Sequence, residues 1–423
     1  MLEGRTPVSK TILNAALVLF VSILAGYFLL VLSWFLLPGD LYRTHLDEAL
    51  TILENEGPYP EDEYSQKLLD NFTDAIMISE ASDRNEPNPF IHAASSPYVS
   101  VNGTDPYTSL LVDYYAEEHS TTSLSYARYW HGYLLSLKPV LLLLSYRQIR
   151  HLNAIVQIAM LTAIVMLLYR KGKVRFLFPF VVMVLYMGPT AIANSLQFSS
   201  VYYVTLLLLL ALILFPQLTA DRHRLCLFFL MSGIITAYLD FLTAPTNTLT
   251  VPLTYLCMEL TARKEKGTVK LLLLCTVFWF AGYAGMWAGK WMIALIVQRG
   301  AFWETLLDSI RSRSSTQLTH TSISRIAALK RCVKMTLSNY YLGVLALSYA
   351  VFTLIDGAIR RHGILPGKEA LSRALPLAVP MLIPVLWVLV LANHSYEHAH
   401  FLAFRTLCPL ILCALAAVSE VSE

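Results

Sequence analysis

Apolar runs recur along the 423-residue chain at 11–37, 151–169, 176–193, 201–215, 225–242, 251–262, 271–298, 340–359, 374–392 and 401–418. Most are about 18 to 28 residues, long enough as helices to cross a hydrocarbon core of roughly 30 Å. Two of them, 201–215 and 251–262, are short and need flanking residues. With 56% hydrophobic residues, 14% charged residues and a mean hydropathy of +0.54, a chain of this length cannot keep its apolar surface from water. Its solvent must be a bilayer. The expected fold is an all-α integral membrane protein of about ten transmembrane helices, with a largely helical external first loop and an interfacial helix.

The remaining charge is segregated. Between Asp40 and Arg128 lie seventeen of the 29 acidic residues but four of the 32 Lys and Arg. The sequence therefore divides into a tail and signal-anchor helix (1–37), an acidic loop domain (38–128), an interfacial or re-entrant helix (129–150) and a multi-helix domain (151–423) with an external loop at 299–338. The first run follows Arg5 and Lys10 and exceeds a signal-peptide core of roughly 7–15 residues. It reads as a retained anchor with a cytoplasmic amino terminus. Within the loop domain, 46–56, 63–82 and 107–117 are expected to be helices between turns rich in Pro, Asn and Ser.

Segment 129–145 sets the parity of everything after it. If it lies on the surface, the basic clusters at Arg170-Lys171-Gly172-Lys173, Arg222-His223-Arg224, Arg263-Lys264-Glu265-Lys266 and Arg360-Arg361 all fall in the cytoplasm, as the positive-inside rule requires. No basic stripe accompanies a soluble aromatic platform, so nucleic acid is not an expected partner. The six cysteines, all beyond the acidic loop, read as buried small hydrophobes.

The polar residues that call for explanation then share the external face. Asp70 and Asp74 in Asp70-Asn71-Phe72-Thr73-Asp74 are spaced i, i+4 on one helix face, where one acid can take a proton while its neighbour orients it. A solvated helix face is the competing reading. Arg128-Tyr129-Trp130-His131-Gly132-Tyr133 is anchor-like in composition, yet its aromatics, Arg128 and His131 suit a sugar face and a phosphate at the membrane surface. Asp240 stands at the outer end of a span before Pro245, and Lys290 lies about two turns inside another span end. The external loop holds Arg311, Arg313, Arg325, Lys330 and Arg331, which together can clamp a phosphate head group.

Asn393-His394-Ser395-Tyr396-Glu397-His398-Ala399-His400 lies between two spans, with Arg405 a turn into the second. The histidines lack the further ligand a metal site wants, so hydrogen bonding by His394, Tyr396 and His398 to sugar or phosphate is expected and no metal is assigned. A divalent cation remains open as a cofactor.

Together these segments resemble the multi-pass glycosyltransferases of the GT-C superfamily. A cytoplasmic amino terminus, one span, a large acidic first loop, a surface helix and many spans is that layout. The segments around Asp70, Arg128, Asp240 and His394 look like those of poorly characterised bacterial membrane proteins of this type. The resemblance implies a bacterial plasma-membrane enzyme that moves a sugar from a polyprenyl phosphate to a glycan or lipid-linked acceptor, inverting, with a first-loop Asp as base. Asp74, helped by Asp70, is the expected base, although the family's usual position close to the anchor helix would suggest Asp40, Asp47 or Glu48 as well; Asp240 is a further acid. Lys290, Arg405 and the loop arginines would meet the departing phosphate. No Asp-x-Asp or Glu-x-Asp pair follows the anchor, which departs from the family pattern. A flippase of lipid-linked sugars, or a non-catalytic part of a polysaccharide assembly complex, would use the same cations without a base.

Overall fold

A computed structural model describes residues 7–60, 65–101, 104–115, 122–298, 302–317, 322–360 and 367–422. The anchor forms a single helix, α1 (Val8–Leu36). The loop domain that follows contains α2 (Arg43–Glu56), α3 (Asn71–Ser82), α4 (Pro89–Ser95) and α5 (Pro106–Tyr115). Strands β1 (Pro97–Ser100) and β2 (Thr122–Ser125) pair antiparallel, with Pro97 opposite Ser125. The sequence reading missed α4 and this ribbon. It also merged a short turn of helix at Ser65–Lys67 with α3, although Asp70 caps α3 and breaks the two apart.

The rest of the chain runs α6 (Leu134–Leu143), α7 (Tyr146–Arg170), α8 (Val174–Met187), α9 (Pro189–Asn194), α10 (Leu196–Leu214), α11 (Arg222–Leu239), α12 (Asn247–Ala262) and α13 (Thr268–Val297). Two arm helices, α14 (Phe302–Ser314) and α15 (Arg325–Thr336), precede α16 (Tyr340–Arg360), α17 (Gly367–Ala374), α18 (Ala378–Val390), α19 (Ala392–Glu397) and α20 (Ala399–Val421). Among the described residues, seven helical segments are long and apolar enough to cross a membrane: α1, α7, α10, α13, α16, the continuous stretch Gly367–Val390, and α20. The protein is an all-α membrane protein in this sense.

Local chemistry sets several boundaries. Segment 129–145 is not one helix. Residues 129–133 form a turn, α6 spans ten residues or about 15 Å, half a hydrocarbon core, and α7 begins at Tyr146. Ser145 opens α7 with a capping box, its hydroxyl accepting from the Gln148 N–H and its own N–H reaching the Gln148 side chain. α11 and α13 approach closely through Gly233 and Gly282. A Cβ on Gly233 would sit 2.1 Å from the Trp279 carbonyl oxygen, and one on Gly282 would sit 2.2 Å from that of Leu230. Small residues are what let membrane helices touch backbone to backbone.

The loop domain packs on one end of the bundle. Arg150 of α7 grips Glu56 with two hydrogen bonds of 2.6 and 2.9 Å. At the other end, His223 meets Thr11 at the start of α1, Lys173 pairs with Glu259, and Arg263 reaches Thr219. Three of the four basic clusters thus gather at the end of the bundle away from the loop domain. Of the fourth, Arg360 ends α16 and Arg361 lies outside the described residues. The six cysteines are buried and free, so the loop domain folds on packing and polar contacts.

Candidate functional site

Where the loop domain meets the bundle, two neighbouring cavities open. The inner chamber, about 170 Å³, is lined by Tyr59, Asp70, Phe72 and Thr73 from the loop domain, by Tyr126, Arg128 and Tyr129 from the turn before α6, and by Gln197 and Phe241. Arg313, His394, His398 and Phe401, with Ile76 and Leu402, complete it. The outer vestibule, about 540 Å³, is walled by Arg311, Ser312, Arg313, Ser315, Gln317, Asn393, His394, Glu397 and His398. Arg313, His394 and His398 belong to both. The structure therefore brings Asp70, Arg128, Tyr129, Arg311, Arg313, His394 and His398 around two adjoining cavities, although they come from segments hundreds of residues apart.

Asp70 is placed by its role as the N-cap of α3. Its carboxylate accepts from the Thr73 N–H at 3.1 Å and the Thr73 hydroxyl at 2.7 Å. Burial pushes this carboxyl up to about 7, with the nearby Asp74 adding to the rise and Arg405 opposing it. Such a group changes protonation near neutral pH and can take a proton from a ligand.

Asp74 has a different task. It is fully buried, and its oxygens accept from the Tyr146 hydroxyl (2.7 Å), the Leu196 N–H (2.9 Å), the Gln197 N–H (3.1 Å) and the Ser195 hydroxyl (3.2 Å). It satisfies the first amides of α10, donors with no partner inside the helix. With its acceptor positions filled by protein, Asp74 has no lone pair facing the chamber, and the expectation of Asp74 as base is corrected accordingly.

Five other expected site residues stand behind the walls. Trp130 donates to the Met286 carbonyl at 2.7 Å. His131, in a left-handed conformation (φ 61°), bridges Glu80 at 2.9 Å and the Tyr126 carbonyl at 2.9 Å. These contacts hold the turn that presents Arg128 and Tyr129. Lys290 donates to the Ala93 carbonyl at 2.8 Å and the Ser96 hydroxyl at 3.1 Å, which ties α13 to the end of α4. Asp240 accepts from the Leu242 and Thr243 amides at 2.8 and 2.9 Å and shapes the bend that carries Phe241 into the chamber. Arg405 donates to the Phe401 and Gln66 carbonyls, with its guanidinium 3.6 Å from the Phe198 ring centroid. None of the five lines either cavity. A buried ionisable group needs a partner, and each of these found one within the protein.

The cations around the mouth are held by aromatic rings. The Arg128 guanidinium lies 4.3 Å from the Tyr126 ring centroid, and that of Arg313 lies 5.9 Å from Tyr129. Tyr396 turns away to take Arg331 on its ring at 4.3 Å and does not line the cavities. His394 donates to the Leu242 carbonyl through Nε2 at 3.2 Å. Burial pushes His394 well below the usual histidine value and His398 down to about 4, with His398, His400 and Arg313 reinforcing the effect. Both imidazoles are thus neutral hydrogen-bonding groups at neutral pH. Asn393 fastens the arm by donating to Gln317 O at 2.6 Å, and Arg325 caps the carbonyl end of α18 through Val390 O at 3.1 Å.

Sequence reading missed Tyr59, Gln197, Phe241 and Phe401 as wall residues. Tyr59 stacks between Phe72 and Phe401, each at 6.0 Å between centroids. Aromatics at span ends resemble ordinary interface anchors, so only Gln197, a lone amide opening an apolar run, carried a usable signal. Among the described residues, no three His, Cys, Asp or Glu side chains are grouped to hold a metal ion. Comparison with known protein families, with characterised proteins and with solved structures found no match.

Proposed function

We propose that the protein is a membrane glycosyltransferase that takes a sugar from a polyprenyl phosphate, with Asp70 as its base. One observation carries this reading: a buried carboxylate that titrates near neutrality shares an aromatic chamber with Arg128 and Arg313. Aromatic faces suit the C–H side of a sugar, and the vestibule arginines suit a phosphate. In an inverting transfer, the acceptor oxygen attacks the anomeric carbon as the bond to the phosphate oxygen breaks. The electron pair leaves with the phosphate, and the acceptor proton passes to Asp70. Charge grows on the leaving oxygen, so Arg313, which lines both cavities, and Arg311 of the vestibule contribute most in the transition state.

The reading includes ten spans: the seven long apolar segments, α11, α12, and α8 continued by α9. It places the basic end in the cytoplasm of a bacterial plasma membrane and the chamber outside, where a glycan or lipid-linked acceptor arrives. The deciding experiment incubates purified protein with undecaprenyl phosphate sugars and membrane acceptors and follows the glycosidic linkage. Transfer lost in D70N and kept in wild type supports the enzyme. Movement of the lipid across proteoliposomes with every linkage intact would replace it with a carrier.

A further inference from the structure

Gln197 sits in the chamber wall in the first turn of α10, beside Asp70 and the aromatic residues. It is 7% exposed, and its buried Oε1 accepts no hydrogen bond from any protein group among the described residues. A buried carbonyl oxygen without a donor costs on the order of 1–3 kcal/mol, so its persistence in a packed wall calls for a partner from elsewhere. The residue is held in place from behind. The Asp74 carboxylate takes the Gln197 N–H at 3.1 Å and that of Leu196 at 2.9 Å, which fixes the turn from which the amide projects.

The chemistry of the surroundings narrows what that oxygen can meet. Arg128 and Arg313 are donors and serve an anion, whereas Gln197 Oε1 is an acceptor and needs a hydroxyl or N–H. The ionised phosphodiester linking a sugar to a lipid offers neither. Sugar hydroxyls do, and they would lie among Tyr59, Phe72, Phe241 and Phe401, which line the chamber.

We infer that Gln197 is a specificity-determining residue: its Oε1 accepts a hydrogen bond from a hydroxyl or amide of the sugar and so separates the glycosylated lipid from the bare lipid phosphate. This rests on the glycosyltransferase reading and adds to it a division of labour, with phosphate read at the vestibule and sugar read at α10. Sites built to pair a substrate hydroxyl reject the analogue lacking it far more strongly than apolar pockets do.

The test measures binding of undecaprenyl phosphate, bare or carrying glucose, galactose, mannose, N-acetylglucosamine or arabinose, to the purified full chain. Wild type is expected to bind at least one glycosylated lipid more tightly than the bare one. Q197L, similar in size and apolar, should lose about tenfold for that lipid, the equivalent of one hydrogen bond of roughly 1.4 kcal/mol, and nothing for the bare lipid. Q197E, which keeps an acceptor, should retain the preference. A wild type without preference among these lipids, a Q197L that binds the glycosylated lipid normally, or a Q197L that weakens both lipids equally each overturns the inference. R313A reports separately on the underlying reading: if it leaves binding of the bare lipid unchanged, the phosphate assignment fails whatever Gln197 does.

Discussion

Asp74 stands one helical turn beyond Asp70, and its carboxylate receives the Leu196 and Gln197 amides while Asp70 faces the chamber. Two acids that the sequence presents as a pair thus divide into a lining group and a fastening for another helix. Exchanging either tests this division directly.

D70N should abolish transfer, by about 10²–10⁴-fold if Asp70 is the general base, with little change in thermal stability, because Asn caps a helix as well as Asp does. D74N should do the reverse. A carboxamide in place of a carboxylate accepting four protein donors sets an NH₂ against N–H groups, at a cost of about 2–4 kcal/mol. Thermal unfolding in detergent beside a transfer assay separates the two, and full activity in D70N would remove Asp70 from the mechanism.

The rate should rise with pH through about 7, where the Asp70 carboxyl ionises. The same shift has a stability signature of opposite sense. With its folded value raised above the unfolded carboxylate value of about 4, Asp70 favours the folded state below that pH, and this contribution is lost as pH rises through about 7. D70N should flatten both profiles; an unchanged rate profile in that variant would point to another titrating group.

R313A should weaken binding of undecaprenyl phosphate by about 1.5–3 kcal/mol, the range of a charge-assisted hydrogen bond. R405A should instead lower stability, since Arg405 donates through its two terminal nitrogens to the Phe401 and Gln66 carbonyls. Equal losses of affinity in the two variants would contradict the geometry.

Gly132 tests the turn behind the chamber. Its N–H donates to the Tyr238 carbonyl at 2.8 Å, and a Cβ there would come within 2.6 Å of that same oxygen. G132A must therefore move the backbone that carries Arg128 and Tyr129, at a cost of about 1–3 kcal/mol, with weaker lipid binding. An unshifted melting temperature and normal binding would mean that the turn yields freely.

Orientation can be read by thiol labelling, because the six native cysteines are buried. S312C at the vestibule should react with an impermeant maleimide in intact cells, and K266C at the basic end only after permeabilisation. The opposite pattern would put the chamber in the cytosol.

The sequence by itself determined the solvent and much of the secondary structure. Apolar runs of spanning length leave helix as the only way to satisfy their backbone in lipid, and the crowding of acids into one stretch marks the domain that stays in water. It also located the segments that meet at the cavities, since Asp70, Arg128, Arg313 and His394 were legible as polar groups of the segments between spans. Which side chain in each segment faces the chamber was decided by tertiary structure alone. Spacing puts Asp70 and Asp74 on one helix face but is silent about the α10 amides lying opposite Asp74. Lys290 and Arg405 were expected to meet a phosphate, yet they donate to carbonyls within the protein. A buried polar group turns toward whatever completes its hydrogen bonds, and those partners are supplied by residues far away in sequence.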